Sequence, residues 1–160
     1  MIVVSNATPL IAFAKLDRLT LLRDLFQTVH IPQAVYQEVA VRGPDRPGAA
    51  QIRQAEWLHV HEPENRTKIN YLQADLDSGE AEVLVLAEEL GADWVLLDES
   101  RARVAAELLD LSFTGTIGLL LLAKRLDKVS AIRPLLDELQ AKKFYLSHRV
   151  YQAALNEAGE

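Results

Sequence analysis

Short apolar runs and amphipathic stretches alternate along most of the chain. Ile2-Val3-Val4 is a continuous apolar run that stops at Ser5-Asn6, the pattern of a strand buried on both faces. Thr8-Pro9 then opens a helix, since Thr8 can cap its free N–H groups and Pro9 suits a first position where no amide proton is needed. A second helix is predicted from about Leu19 to Phe26 and a strand at Val29-His30-Ile31. The helix beginning at Pro32 carries Ala34, Val35, Val39 and Ala40 at three- and four-residue spacing. Gly43 to Gly48 reads as a surface loop, because its Gly, Pro and Asp residues supply turn geometry. A short helix to Ala55 follows, and Leu58-His59-Val60-His61 alternates like a half-exposed strand suited to a sheet edge.

Asp77-Ser78-Gly79 punctuates the chain before a helix from Glu80 to Leu90. Trp94-Val95-Leu96-Leu97 is the most apolar strand and ends on Asp98. A helix from about Ser100 to Leu109, a strand at Ser112-Phe113-Thr114 and a helix from Ile117 to Arg125 continue the rhythm, and the remainder reads as helical. Strands alternating with helices imply parallel pairing through right-handed crossovers, hence a three-layer α/β/α sandwich with a mostly parallel central sheet.

The 160 residues are enough for one sizeable core, so residues 1–160 are expected to form a single domain. A content of 49% hydrophobic and 25% charged residues excludes a largely disordered chain. The apolar opening lacks the basic segment and cleavage site of a secretion signal, and no run approaches the roughly 20 residues needed to span a bilayer. A cytoplasmic protein with no membrane partner is expected. Without cysteine there is no thiolate site, so a metal would be held by oxygen ligands or the four histidines, which favours Mg²⁺ or Mn²⁺ over zinc. The histidines show no metal-ligand spacing near a carboxylate and read as surface residues. A net charge of −6 argues against general affinity for nucleic acid, so an RNA substrate would be met locally or through metal.

In open parallel sheets, ligands bind beyond the carboxyl ends of the strands. The polar residues there are Ser5, Asn6 and Thr8, then Asp98 and Glu99, then Thr114 and Thr116, with Glu80 opening a helix and Glu38 within another. Carboxylates converging from separate elements suit a divalent ion that activates water for attack on a phosphodiester. Each residue also has a plainer reading. Asp98 can cap the following helix, with Ser100 as rival; Glu80 stands in capping-box spacing from Asp77; Glu38 can face solvent; Asn6 can serve a turn. Arg101 and Arg103 can reach phosphate oxygens or form a solvated helix face.

The segments VVSNATPLIAFAKLDRLTLL, IPQAVYQEV, SGEAEVLVLAEELGADWVLLDESRAR and FTGTIGLLLLAKRL, in that order, resemble successive segments of the PIN-domain family, VapC-like toxin ribonucleases among them. The resemblance covers nearly the whole chain. It implies a Mg²⁺- or Mn²⁺-dependent endoribonuclease, often the toxin of a toxin–antitoxin pair and commonly a homodimer. Its catalytic positions fall on Asp98, Glu80, Glu38 and Asn6, with Asp98, Glu80 and Asn6 as metal ligands and Thr8, Thr114 and Thr116 in support. Three departures stand out. Asn6 occupies the first acidic slot, as in one subgroup of the family; Ala7 and Leu96 replace hydroxyl residues; and Glu99 is the nearest occupant of the fourth acidic slot. An uncharged first ligand should lower metal affinity, which opens the alternative of a weak or inactive module that binds RNA or a protein partner. A small antitoxin offering Arg to the carboxylates is the expected partner. A phosphoryl-accepting receiver domain shares the topology but lacks its acidic pair after the first strand.

Overall fold

The structure, a computed structural model, describes residues 1–160. Its five strands, β1 (Val3–Ser5), β2 (Val29–Pro32), β3 (Leu58–His61), β4 (Trp94–Leu96) and β5 (Phe113–Thr114), form one sheet in the order β3-β2-β1-β4-β5, with every pairing parallel. Helices lie between and after them: α1 (Ala7–Lys15), α2 (Thr20–Phe26), α3 (Gln33–Tyr36), α4 (Ala49–Gln54), α5 (Arg66–Leu72), α6 (Ser78–Leu90), α7 (Ser100–Leu108), α8 (Thr116–Arg125), α9 (Arg133–Ala141) and α10 (His148–Ala158). The predicted α/β/α sandwich is therefore the observed architecture, and the sheet is wholly parallel. Its core is one cluster of 40 buried residues that includes Val3, Val4, Ile31, Val95 and Leu96 from the strands. No helix is long and apolar enough to cross a membrane.

The strand order fixes where a site can form. The chain winds outward from β1 to β2 and β3, then returns through α5 and α6 to lay β4 on the other side of β1. The winding reverses between β1 and β4, and at such a point the two following loops separate and leave a crevice at the strand ends. Ser5 pairs with Leu96, and the Asn6 amide continues the ladder by donating to the Leu96 carbonyl at 3.0 Å. Asn6 and Asp98 thus leave neighbouring strands side by side. α6 is buried continuously from Ala81 to Ala87, which anchors its first turn at the same sheet end.

Several local expectations need correction. α1 begins at Ala7, one residue before Thr8; Asn6 holds the N-cap position without a side-chain bond, and Pro9 is third in the helix. Thr8 is no cap, because its hydroxyl turns to Glu99. Pro32 ends β2 and precedes α3, which widens after Tyr36 into a π-helical turn over Gln37–Val41. α5 has no counterpart among the predicted elements. The three histidines of β2 and β3 are not independent surface groups. Register places His30 opposite His59, and His30 Nδ1 lies 2.8 Å from His61 Nε2. β3 takes the predicted edge position.

Candidate active site

Asp98 lies two residues past the end of β4, and its carboxylate is fixed from across the crevice. Oδ1 accepts from the Thr116 amide at 2.8 Å and Oδ2 from the Thr116 hydroxyl at 2.7 Å. Thr116 is fully buried at the start of α8, so both bonds are shielded from water. Neither Asp98 nor Ser100 caps α7; Glu99 holds that position, without a side-chain capping bond. Burial pushes the Asp98 carboxyl above the usual range, the two Thr116 bonds pull it back, and the neighbouring Glu99 raises it again.

Glu99 binds to the first helix. Its Oε2 accepts from Asn6 Nδ2 at 3.1 Å, and its Oε1 accepts from the Thr8 hydroxyl. The Asn6 amide oxygen looks the other way, toward Gly79. A methyl group built on Gly79 would lie 3.8 Å from Asn6 Oδ1, 3.7 Å from Glu38 Oε2 and 3.5 Å from Asp77 Oδ1. Oxygens from β1's end, the π turn and the start of α6 therefore ring one small space, and the missing side chain of glycine leaves it open. The π turn contributes here: it carries Glu38 on the widened part of its helix, a distortion frequent at functional sites.

Asp77 is the residue that sequence reasoning passed over. Its Oδ1 accepts from the Glu80 amide at 2.8 Å, so it is the N-cap expected from the spacing. The same carboxylate also faces Glu38 and Glu80. Burial, the hydrogen bond with Asp77 and the charges of Asp77 and Glu99 push Glu80 up to about 7. Glu38 is likewise raised, first by burial and then by Asp77, while Arg46 and Arg42 oppose the shift. Its signal in the sequence was an acidic residue just before Gly79 and Glu80, indistinguishable there from any helix cap.

Of the two arginines considered, Arg103 turns inward. Its Nε donates to the Leu97 carbonyl at 3.0 Å, Nη2 lies 3.9 Å from Asp98 Oδ1, and the guanidinium sits 5.6 Å from the Phe113 ring centroid. Arg101 is exposed and lines a different groove with Tyr71, Val104 and Leu108. Thr114 ends β5 near Gly118, on the wall of the cavity that opens beside Asp98.

No three His, Asp or Glu side chains are gathered at ion-holding distance. The donor set nonetheless fits a hard divalent cation: Asn6, Glu38, Asp77, Glu80, Asp98 and Glu99 offer only oxygen toward the crevice, apart from the Asn6 amide nitrogen. Burial first, and then the neighbouring Asp77 and Glu99, raise Glu80, and a cation among these oxygens would favour its charged form.

No curated protein and no solved structure matches the chain. A family model described as a PIN domain matches residues 2–160. With that match running almost end to end over an all-parallel sheet and an acidic crevice at its switch point, the chain belongs to the PIN-domain family, whose fold is of nuclease type.

Proposed function

We propose that this protein is a metal-dependent endoribonuclease whose site is the crevice between the ends of β1 and β4. One observation carries the reading: carboxylates from three separate segments, the π turn, the start of α6 and the end of β4, face the switch point beside Asn6, and burial together with their mutual charge raises Glu80 to about 7. Such an arrangement opposes folding, and a function is the physical reason to keep it. Asp98 and Glu80, with the Asn6 amide oxygen, would hold Mg²⁺ or Mn²⁺, and Glu38 would complete the set or orient a water. The bound ion would neutralise charge on the cleaved phosphate and lower the pKa of attacking water. Thr116 keeps Asp98 in one orientation throughout, and Thr8 and Asn6 do the same for Glu99.

The expected result is cleavage of an RNA panel in Mn²⁺ or Mg²⁺, abolished by EDTA and reduced at least 100-fold in Asp98→Asn. Equal cleavage by that variant would remove Asp98 from the chemistry.

A second reading has its own support. The Asn6 amide donates to Glu99 and satisfies the site internally, as suits a weak or inactive module that binds RNA or a protein. Calorimetric titration with Mn²⁺ separates the two, because sub-millimolar binding lost in Asp98→Asn contradicts an inert site. Within the nuclease reading, the toxin role, a homodimer and a small antitoxin that presents Arg to the carboxylates are the partners we propose. Co-purification with the product of an adjacent small open reading frame tests the last.

A further inference from the structure

Two hollows flank Asp98, and both are walled by the same turn between α9 and α10. One, of about 590 Å³, is lined by Asp98, Arg103, Phe113, Thr114, Phe144 and Tyr145 among others. The second, of about 350 Å³, includes Thr8, Lys15, Asp98, Glu99, Lys143 and Tyr145. Tyr145 is 88% exposed, more than any other large hydrophobic residue of the chain. Neither the family positions nor the acidic site uses it.

The turn that presents it is firmly held. Lys143 adopts a left-handed backbone (φ 67°), and the Phe144 amide donates back to the Leu139 carbonyl at 2.9 Å, closing the end of α9. Lys15 Nζ donates to the Lys142 carbonyl at 3.2 Å and Lys142 Nζ to the Lys15 carbonyl at 2.6 Å, a reciprocal clasp onto α1. Gln140 holds the far side through the Leu146 carbonyl at 3.2 Å. Phe144 packs against the core. An aromatic ring is thus kept in solvent on a pinned turn, in a hollow also lined by Lys15 and Lys143, in a protein of net charge −6.

We propose that Tyr145 is a stacking platform for an unpaired nucleobase, and that Lys15 and Lys143 hold the adjoining phosphate, so that a single strand of RNA crosses Asp98 between the two hollows. This rests on the nuclease reading of the acidic crevice. The chemistry is complementary at each point. A base offers a π-face to an aromatic ring whatever its identity, and the phosphates need local cations before they can approach a cluster of carboxylates. A hollow of about 590 Å³ accommodates a nucleotide. Paired strands, whose bases are already stacked, cannot use the platform.

The test measures binding of fluorescent oligoribonucleotides by anisotropy, in EDTA, with the full-length protein. Tyr145→Ala, at a site too exposed to affect folding, should weaken single-strand binding about tenfold, and Tyr145→Trp should restore it. An abasic oligonucleotide should erase the difference between the variants, and a duplex should show none. Lys143→Asn, which tolerates the left-handed backbone, should lower the slope of log affinity against log salt by about 0.7. If the parent protein binds RNA and Tyr145→Ala binds it equally, the platform is refuted while the nuclease reading stands. If the parent neither binds nor cleaves RNA, both are refuted.

Discussion

Glu80 sits where burial and two neighbouring carboxylates oppose its ionisation, and the consequence for stability has a definite sign. Its ordinary value of 4.5 applies to the unfolded chain, and in the folded protein it rises to about 7. Between those values the folded state binds a proton that the unfolded state has released. Stability therefore falls as pH rises from about 4.5 to about 7 and levels off above. Glu80→Gln should remove this loss: in EDTA at pH 8 the variant should melt above the parent, and at pH 4.5 the two should coincide. Melting curves that track each other across the range would show that Glu80 is not strained. Asn6 predicts the converse. It is 4% exposed and donates to Glu99, so Asn6→Asp sets two carboxylates face to face. In EDTA the variant should lose about 1–3 kcal/mol. Mn²⁺ should restore the loss and raise cleavage, as thermal denaturation and an RNA assay would register.

Between elements, the closest fit is where α8 begins. A methyl group on Gly115 would lie 2.1 Å from Arg103 Nη2, 2.6 Å from Asp98 Oδ1 and 3.1 Å from the Leu97 carbonyl. Gly115→Ala should therefore displace Asp98 from Thr116, costing about 1–3 kcal/mol and most of the activity. A variant that melts and cleaves as the parent does would show that the gap has slack. This level also marks how far the sequence could be read. The β-branched and apolar strands, the Gly43–Gly48 loop and the placement of Asp98 at a strand end followed from pattern, because burial on both faces leaves an unbroken signature. The meeting of His30 with His61 did not, since it depends on register between separate strands. Asp77 was hidden by doing two things at once, and a cap looks the same whether or not its carboxylate faces a site. Tyr145 was invisible for a different reason: one aromatic residue in a polar stretch gives no period, and its exposure comes from the clasp between α9 and α1.

Across the whole molecule, Glu160 is the counterpart of Glu80. Its carboxylate accepts from Lys124 at 2.8 Å, the Ile132 amide at 2.7 Å and the Arg133 amide at 3.1 Å, tying α10 to α8 and to the start of α9. Desolvation works against the charge, yet these donors hold it down to about 2. A depressed carboxylate contributes stability above its ordinary value of 4.5, and that contribution disappears as pH falls toward about 2. The two residues thus act in opposite directions on either side of pH 4.5. Glu160→Gln should cost about 1 kcal/mol at neutral pH, with the difference closing near pH 2 in chemical denaturation. A constant difference down to pH 2 would assign the effect to packing.

The π turn at Gln37–Val41 has an evolutionary consequence. It holds one residue more than an α-helical turn over the same rise, so it is a place where chain length can change by one without unravelling a helix. Deleting Gln37 would let α3 run on as an ordinary helix with its buried neighbours still covered, but Glu38 would swing by about 100° around the axis. A gain or loss of one residue at this turn therefore changes how many carboxylates face Gly79 and leaves the architecture as it was.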